Sequence, residues 1–206
     1  MKIQSSVDSK ALDEMDKTHR TNLVNSLSGY KSANLLGTMD AQRNTNLSLI
    51  SSAFHVGANP PLMGMLMRPH SVPRHSLENL LEQGWYTMNA VTQTMFRQAH
   101  QASARYPRDS SEFDATGLTA VFSPEVSAPY VEQSPIQIGL KLLESQTLKV
   151  NDTVLVIGEI KQIRLAKGLL GDDGQLDLNL ASVVAVSGLD EYHLPQTLER
   201  LSYPKP

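Results

Sequence analysis

Apolar residues recur along this chain at two spacings, and the switch between them divides it. From about Ser9 to Leu27, Leu12, Met15, His19, Leu23 and Leu27 fall at helical spacing, and Ser28-Gly29 supplies a stop. One helix or two short ones would satisfy that pattern. From Ala33 onward a period of two dominates. Ala33 to Met39 is a short apolar run, Asp40 to Thr45 a polar turn, and Asn46 to His55 an alternating stretch. In that stretch Leu47, Leu49, Ser51, Ala53 and His55 share one face, and Asn46, Ser48, Ile50, Ser52 and Phe54 share the other. Asn59-Pro60-Pro61 forces a turn into a second strand, Leu62 to Met67, with Met63, Met65 and Met67 on one face. Methionine fills irregular apolar gaps, so this stripe reads as core or subunit interface.

Ser76 stands before LENLLEQG, a short amphipathic helix closed by Gly84, and is the natural N-cap. Trp85 to Val91 follows as a strand. Thr92 to Ala102 is a helix with Met95, Phe96 and Ala99 inward, and Ser103 to Gly117 a polar loop. Strands are predicted near Leu118 to Phe122, Ile136 to Glu144 and Val154 to Leu165, with Asn151 to Thr153 turning between the last two. So many strands with few helices indicate a closed or partly closed antiparallel barrel. The expected organisation is a helical extension over residues 1–28, the barrel over 29–165, and a C-terminal extension over 166–206 packed on the barrel or on a partner subunit.

Composition narrows the chemistry. The net charge of −3 over 206 residues leaves no overall field for nucleic acid or an acidic membrane, so any anion site is local. With no cysteine there is no disulfide, thiolate metal site or cysteine nucleophile, and redox chemistry would need a cofactor. No apolar run reaches about 18 residues and the N-terminus lacks a signal-peptide core, so a soluble, cytoplasmic protein is expected.

The candidate chemistry lies between Asn46 and Asn79. Small hydroxyl residues on both faces of a strand suit a surface against which a flat ligand lies, although a half-exposed strand has the same composition. The segment from Arg68 to Ser76 carries Arg68, His70, Arg74 and His75 and ends on a helix start. A helix N-terminus with two arginines nearby has the ingredients of a phosphate site, and a capped helix after a solvated basic loop is the alternative. His70 and His75 have no acidic partner at a ligand-like spacing, so no metal is expected.

The ordered set NLSLISSAF, NPPLMGMLMRP, RHSLEN, EQGWYTMN, ASARYP, SEFDATGL and ESQTLKVNDTVLVIGEI resembles the flavin reductase-like family of FMN-binding split barrels, over roughly Arg20 to Leu165. Ser76 stands where the family often has Thr, and the Asp40 to Thr45 turn lacks the usual Gly. The resemblance implies a mainly β split barrel with peripheral helices. It implies FMN with its ring along Ser51, Ser52, Ala53 and Phe54, Asn46 nearby, and its phosphate at Arg68, His75, Ser76 and Asn79. It further implies a homodimer with the cofactor close to the subunit interface, so that His100, Ser103 and Tyr106 approach it from either chain. No G-x-G-x-x-G follows a strand, so an NADH or NADPH donor would stack directly on the flavin. The activity implied is NAD(P)H-dependent flavin reduction, delivering electrons to a small molecule or a protein. Two rivals remain at this stage: a flavin-binding electron-transfer or storage protein without turnover, and a flavin-free barrel acting as a scaffold or binding haem through a histidine such as His55.

Overall fold

The period-two pattern becomes an antiparallel sheet in the computed structural model, which describes residues 5–205. Residues 1–4 of the expected N-terminal extension and residue 206 of the C-terminal one lie outside the described residues. Two short helices come first, α1 (Ser9–Glu14) and α2 (Lys17–Ser26). They are separate because Met15 is extended and the Asp16 carboxylate caps the second helix, accepting the N–H groups of Thr18 and His19 at 2.9 and 3.1 Å. Then follow β1 (Lys31–Ser32), β2 (Asn34–Met39), β3 (Thr45–Ile50), β4 (Phe54–Ala58), β5 (Pro61–Met67), α3 (His75–Gln83) and β6 (Trp85–Ala90). The remainder comprises α4 (Phe96–Gln101), α5 (Glu112–Thr116), β7 (Ala120–Ser123), β8 (Val126–Val131), β9 (Ile136–Thr147), β10 (Val154–Leu165), β11 (Ala185–Ser187) and β12 (Glu191–His193).

Seven strands form the main sheet in the order β3-β2-β6-β9-β10-β5-β4, every pair antiparallel. The mainly β split-barrel expectation is met by this sheet and by the β7–β8 hairpin that packs across β2, β6 and β9. The side-chain period of two sends neighbouring residues into different cores. Leu35 of β2 joins Leu47, Val91, Ala99 and Phe113 on one face, while Leu36 joins Met65, Met88, Leu140 and the α3 residues Leu77 and Leu80 on the other. Met65 and Met67 are buried in this second cluster, so the methionine stripe is core. Helix α3 ends as predicted, with Gly84 left-handed at φ 72° and its N–H on the Leu80 carbonyl at 3.0 Å.

Several local expectations are corrected. The stretch from Asn46 to His55 is two strands, because β3 pairs only with β2 and its partner runs out where Ile50 faces Asn34. The chain then crosses from one edge of the sheet to the other over Ser51 to Ala53, and Phe54 opens β4 opposite Gly64 of β5. The Ser52 hydroxyl fixes the crossing by donating to the Leu66 carbonyl at 2.6 Å. The helix predicted from Thr92 is confined to α4, since Thr92 bridges to Val183. The polar loop after it contains α5, capped by Ser111. Strand β8 has no clear strand signature in the sequence, because Pro129 lies inside it; the Pro129 carbonyl accepts the Thr87 hydroxyl at 2.6 Å. Beyond β10, β11 and β12 form a hairpin paired to β1, tying the C-terminal region to the chain just ahead of β2.

Candidate functional site

The edge crossing at Ser51 and Ser52 forms part of the wall of a cavity of about 1170 Å³. Its floor is Asn46, Ser48, Leu49 and Ile50 of β3, one side is Leu66 to Arg68 with Val72 to Ser76, and the other is the segment after α4 from Ser103 to Arg108. Val24, Asn25, Ser28 and Lys31 close it from the N-terminal side, with Val186, Leu189 and Asp190 of the C-terminal hairpin. The volume lies slightly above the range of about 300–1,000 Å³ usual for one small-molecule ligand.

A buried polar network lines the floor. Asn46 Oδ1 accepts the Ser76 hydroxyl at 2.6 Å and the Thr38 hydroxyl at 3.3 Å, and Ser76 Oγ lies 2.8 Å from Ser48 Oγ. Asn46 Nδ2 donates to the Glu112 carboxylate at 2.7 Å, and that same oxygen accepts the Leu47 N–H at 2.9 Å. Burial pushes the Glu112 carboxyl above its ordinary pKa, opposed in part by these hydrogen bonds. Ser76 is therefore the second residue of α3 and no cap. The N-cap is Arg74, whose N–H is accepted by the Glu78 carboxylate at 2.9 Å, and this carboxylate also pairs with His70 at 2.7 Å and with Arg108. The Ser76 hydroxyl is instead turned to Asn46 and Ser48.

The basic groups divide by partnership. Arg108 is paired with Glu78, and Lys31 donates to the carbonyls of Asn25 and Gly188. The guanidinium groups of Arg68, Arg74 and Arg105 have no carboxylate oxygen within 4.0 Å among the described residues. Burial pushes the pKa of the half-buried Arg74 guanidinium down, and the nearby charges of Arg68 and Arg105 push it further. Three like charges gathered without counter-charge beside the start of a nine-residue helix match a ligand carrying phosphate, since guanidinium pairs bidentately with phosphate oxygens. Arg68 and His75 at that helix start fit the phosphate of a flavin mononucleotide, and the adjoining Leu49, Leu66 and Met67 fit an apolar ring.

Of the residues singled out in the sequence, Asn46, Ser51, Ser52, Arg68, Arg74, His75, Ser76, His100, Ser103 and Tyr106 line this one cavity. Ala53, Phe54, His55, His70 and Asn79 do not. Ala53 packs against the core that holds Met65, Phe54 is exposed on β4 with its ring over Gly64, and Asn79 is buried behind Thr38, its amide donating to that hydroxyl at 3.3 Å. His55 is exposed on β4, outside the cavity. Sequence reasoning missed Ser48, Arg105, Arg108 and Glu112. The available signal was the basic pair flanking Tyr106-Pro107 and the Glu-Phe after Ser111, both inside a stretch that reads as surface loop.

Comparison with known proteins agrees with this architecture. Residues 27–179 match the family described as "Flavin reductase like domain". The chain is 46% identical to a protein from Shewanella frigidimarina NCIMB 400 described as a "putative flavin reductase with split barrel domain", with a TM-score of 0.94 over 98% of this chain and 100% of that one. Flavoredoxin of Desulfovibrio vulgaris (Miyazaki F) is 25% identical, with a TM-score of 0.73 over 85% of this chain and 92% of its own. Nitrilotriacetate monooxygenase component B from Bacillus cereus shares the fold, with a TM-score of 0.86 at 17% identity over 98% of this chain and 100% of its own.

Proposed function

The chain belongs to the flavin reductase-like family, and from that premise we propose that it is a cytoplasmic, FMN-dependent oxidoreductase that draws hydride from NADH or NADPH. One observation carries the reading: Arg68 and His75 stand at the start of α3, beside the Ser48–Asn46–Ser76 network, in a cavity with an apolar side. FMN, when bound, would supply the two-electron redox chemistry. Arg68, His75 and the main-chain N–H of Ser76 in the first turn of α3 would hold the phosphate. The crossing from Ser51 to Ser52 presents small side chains along which the ring would be held, and Leu49, Leu66 and Met67 would exclude water beside it. The chain's own part is to bind and orient; no side-chain acid or base is required for hydride transfer. Among the described residues no helix is long and apolar enough to cross a membrane.

We assign the assembly as a homodimer. Val24, Leu27 and Tyr30 are exposed apolar residues on the N-terminal side of the cavity, and Leu198, Leu201 and Tyr203 are exposed along the C-terminal arm, surface that a second copy would cover. Light scattering on the purified protein tests this, and a monomer at micromolar concentration would refute it.

Anaerobic addition of NADH or NADPH to the FMN-loaded protein tests the activity. Loss of the flavin's visible absorbance supports the oxidoreductase. The likeness to flavoredoxin favours a second reading, an electron carrier, which would be reduced by a protein or chemical reductant and not by either nicotinamide. Failure to take up FMN at all would refute both.

A further inference from the structure

We propose that this cavity selects a donor bearing a 2′-phosphate, NADPH over NADH, and that Arg105 together with Arg74 is the recognising pair. The inference rests on the flavin reading above and concerns the charge that FMN leaves unused. A phosphomonoester carries about −1.5 to −2 at neutral pH, and Arg68 with His75, Ser76 and the first turn of α3 provides for one such group. Arg74 and Arg105 then remain, both on the cavity wall, and neither guanidinium has a carboxylate oxygen within 4.0 Å among the described residues; the nearby Glu78 is engaged by Arg108, His70 and the Arg74 main-chain N–H. Holding these cations together without a partner is unfavourable in the free protein, and a second phosphate relieves it.

The acidic groups point the same way. In Rossmann sites, a fold this chain does not have, a carboxylate takes the unphosphorylated ribose 2′-hydroxyl and an arginine the 2′-phosphate, and the same charge preference holds for a 2′-phosphate on any fold. The cavity wall contains two carboxylates. Glu112 is committed to Asn46 and the Leu47 N–H, and Asp190 belongs to the C-terminal hairpin. Neither forms an ion pair with Arg74 or Arg105. The volume is also sufficient, since about 1170 Å³ exceeds the usual allotment for a single small ligand. Arg105 is exposed, so its replacement leaves the core intact.

The test uses adenosine 2′,5′-bisphosphate and 5′-AMP as probes, titrated calorimetrically into the full-length protein with and without saturating FMN. The wild type should bind the bisphosphate about tenfold more tightly, the worth of one charge-assisted contact. Arg105→Ala should reduce that preference to about twofold or less, and Arg105→Lys should keep an intermediate value, because it retains charge but loses the planar fork. In turnover, the ratio of kcat/KM for NADPH over NADH should fall in parallel. Equal affinity for the two probes, no binding of either, or a preference that survives Arg105→Ala would overturn the proposal. So would a loss of FMN affinity in Arg105→Ala as large as that in Arg68→Ala, which would assign Arg105 to the flavin phosphate. Flavin fluorescence separates the two layers: FMN binding without the 2′-phosphate preference removes this inference only, whereas absence of FMN binding removes the flavin reading itself.

Discussion

Replacing Glu112 perturbs the site from beneath without touching the arginine cluster. In Glu112→Ala two buried donors lose their acceptor, the Leu47 N–H and the Asn46 amide. Leu47 is wholly inaccessible, so its N–H has no replacement from solvent, whereas Asn46 lines the cavity and water can reach its amide. An orphaned buried donor costs about 1–3 kcal/mol; taking the full range for the first and the lower end for the second gives a loss of about 2–4 kcal/mol. For a domain of this size that corresponds to a fall in Tm of roughly 5–15 °C. Glu112→Gln keeps an acceptor of the same shape and removes the buried charge. Burial raises the folded pKa of Glu112 above its ordinary value. Its contribution is therefore fully present below the unfolded pKa and is lost as pH rises through the folded one. Urea denaturation at several pH values reads this directly: the wild type should lose stability relative to Glu112→Gln between acid and neutral pH, and Glu112→Ala should be the weakest of the three. Equal stability for Ala and Gln, or a gap between wild type and Gln that does not move with pH, would refute the reasoning.

Three further outcomes can be checked. Arg68→Ala should weaken FMN by about tenfold or more and riboflavin hardly at all, because riboflavin lacks the phosphate; equal loss for both would move the phosphate elsewhere. Tyr86 is fully buried and its hydroxyl has no hydrogen-bond partner among the described residues, so Tyr86→Phe should stabilise the fold, by about 1 kcal/mol in denaturant titration. A Cβ on Gly158 would come within 2.1 Å of that hydroxyl oxygen, so Gly158→Ala should cost about 1–3 kcal/mol, and part of the loss should return in the double variant with Tyr86→Phe.

Much of the sheet was legible because its signals are local. The hairpin of β2 and β3, the methionine stripe of β5, the glycine that ends α3 and the long β9 and β10 strands all follow from alternation and turn chemistry within a few residues. The edge crossing was not. Alternation continues in the sequence through Ser51 to Ala53, and only the limits of β2 and β5 determine that Ile50 and Phe54 belong to opposite edges. Ser76 shows the same dependence. It has the residue type and position of a cap, yet its hydroxyl is claimed by Asn46 and Ser48, some thirty residues away in the chain. Glu112 reads as a surface acid until β3 is laid against α5, where a main-chain N–H 65 positions earlier needs an acceptor. The basic run from Arg68 to Arg74 was visible locally, whereas Arg105 joins it only through the fold.

The most direct measurement is the visible spectrum of the FMN-loaded protein, recorded without oxygen before and after NADH and NADPH are added separately. Rapid loss of the flavin absorbance, faster with NADPH, is the predicted result. A spectrum unchanged by both donors, from protein that has demonstrably bound FMN, would contradict an oxidoreductase that takes hydride from a nicotinamide.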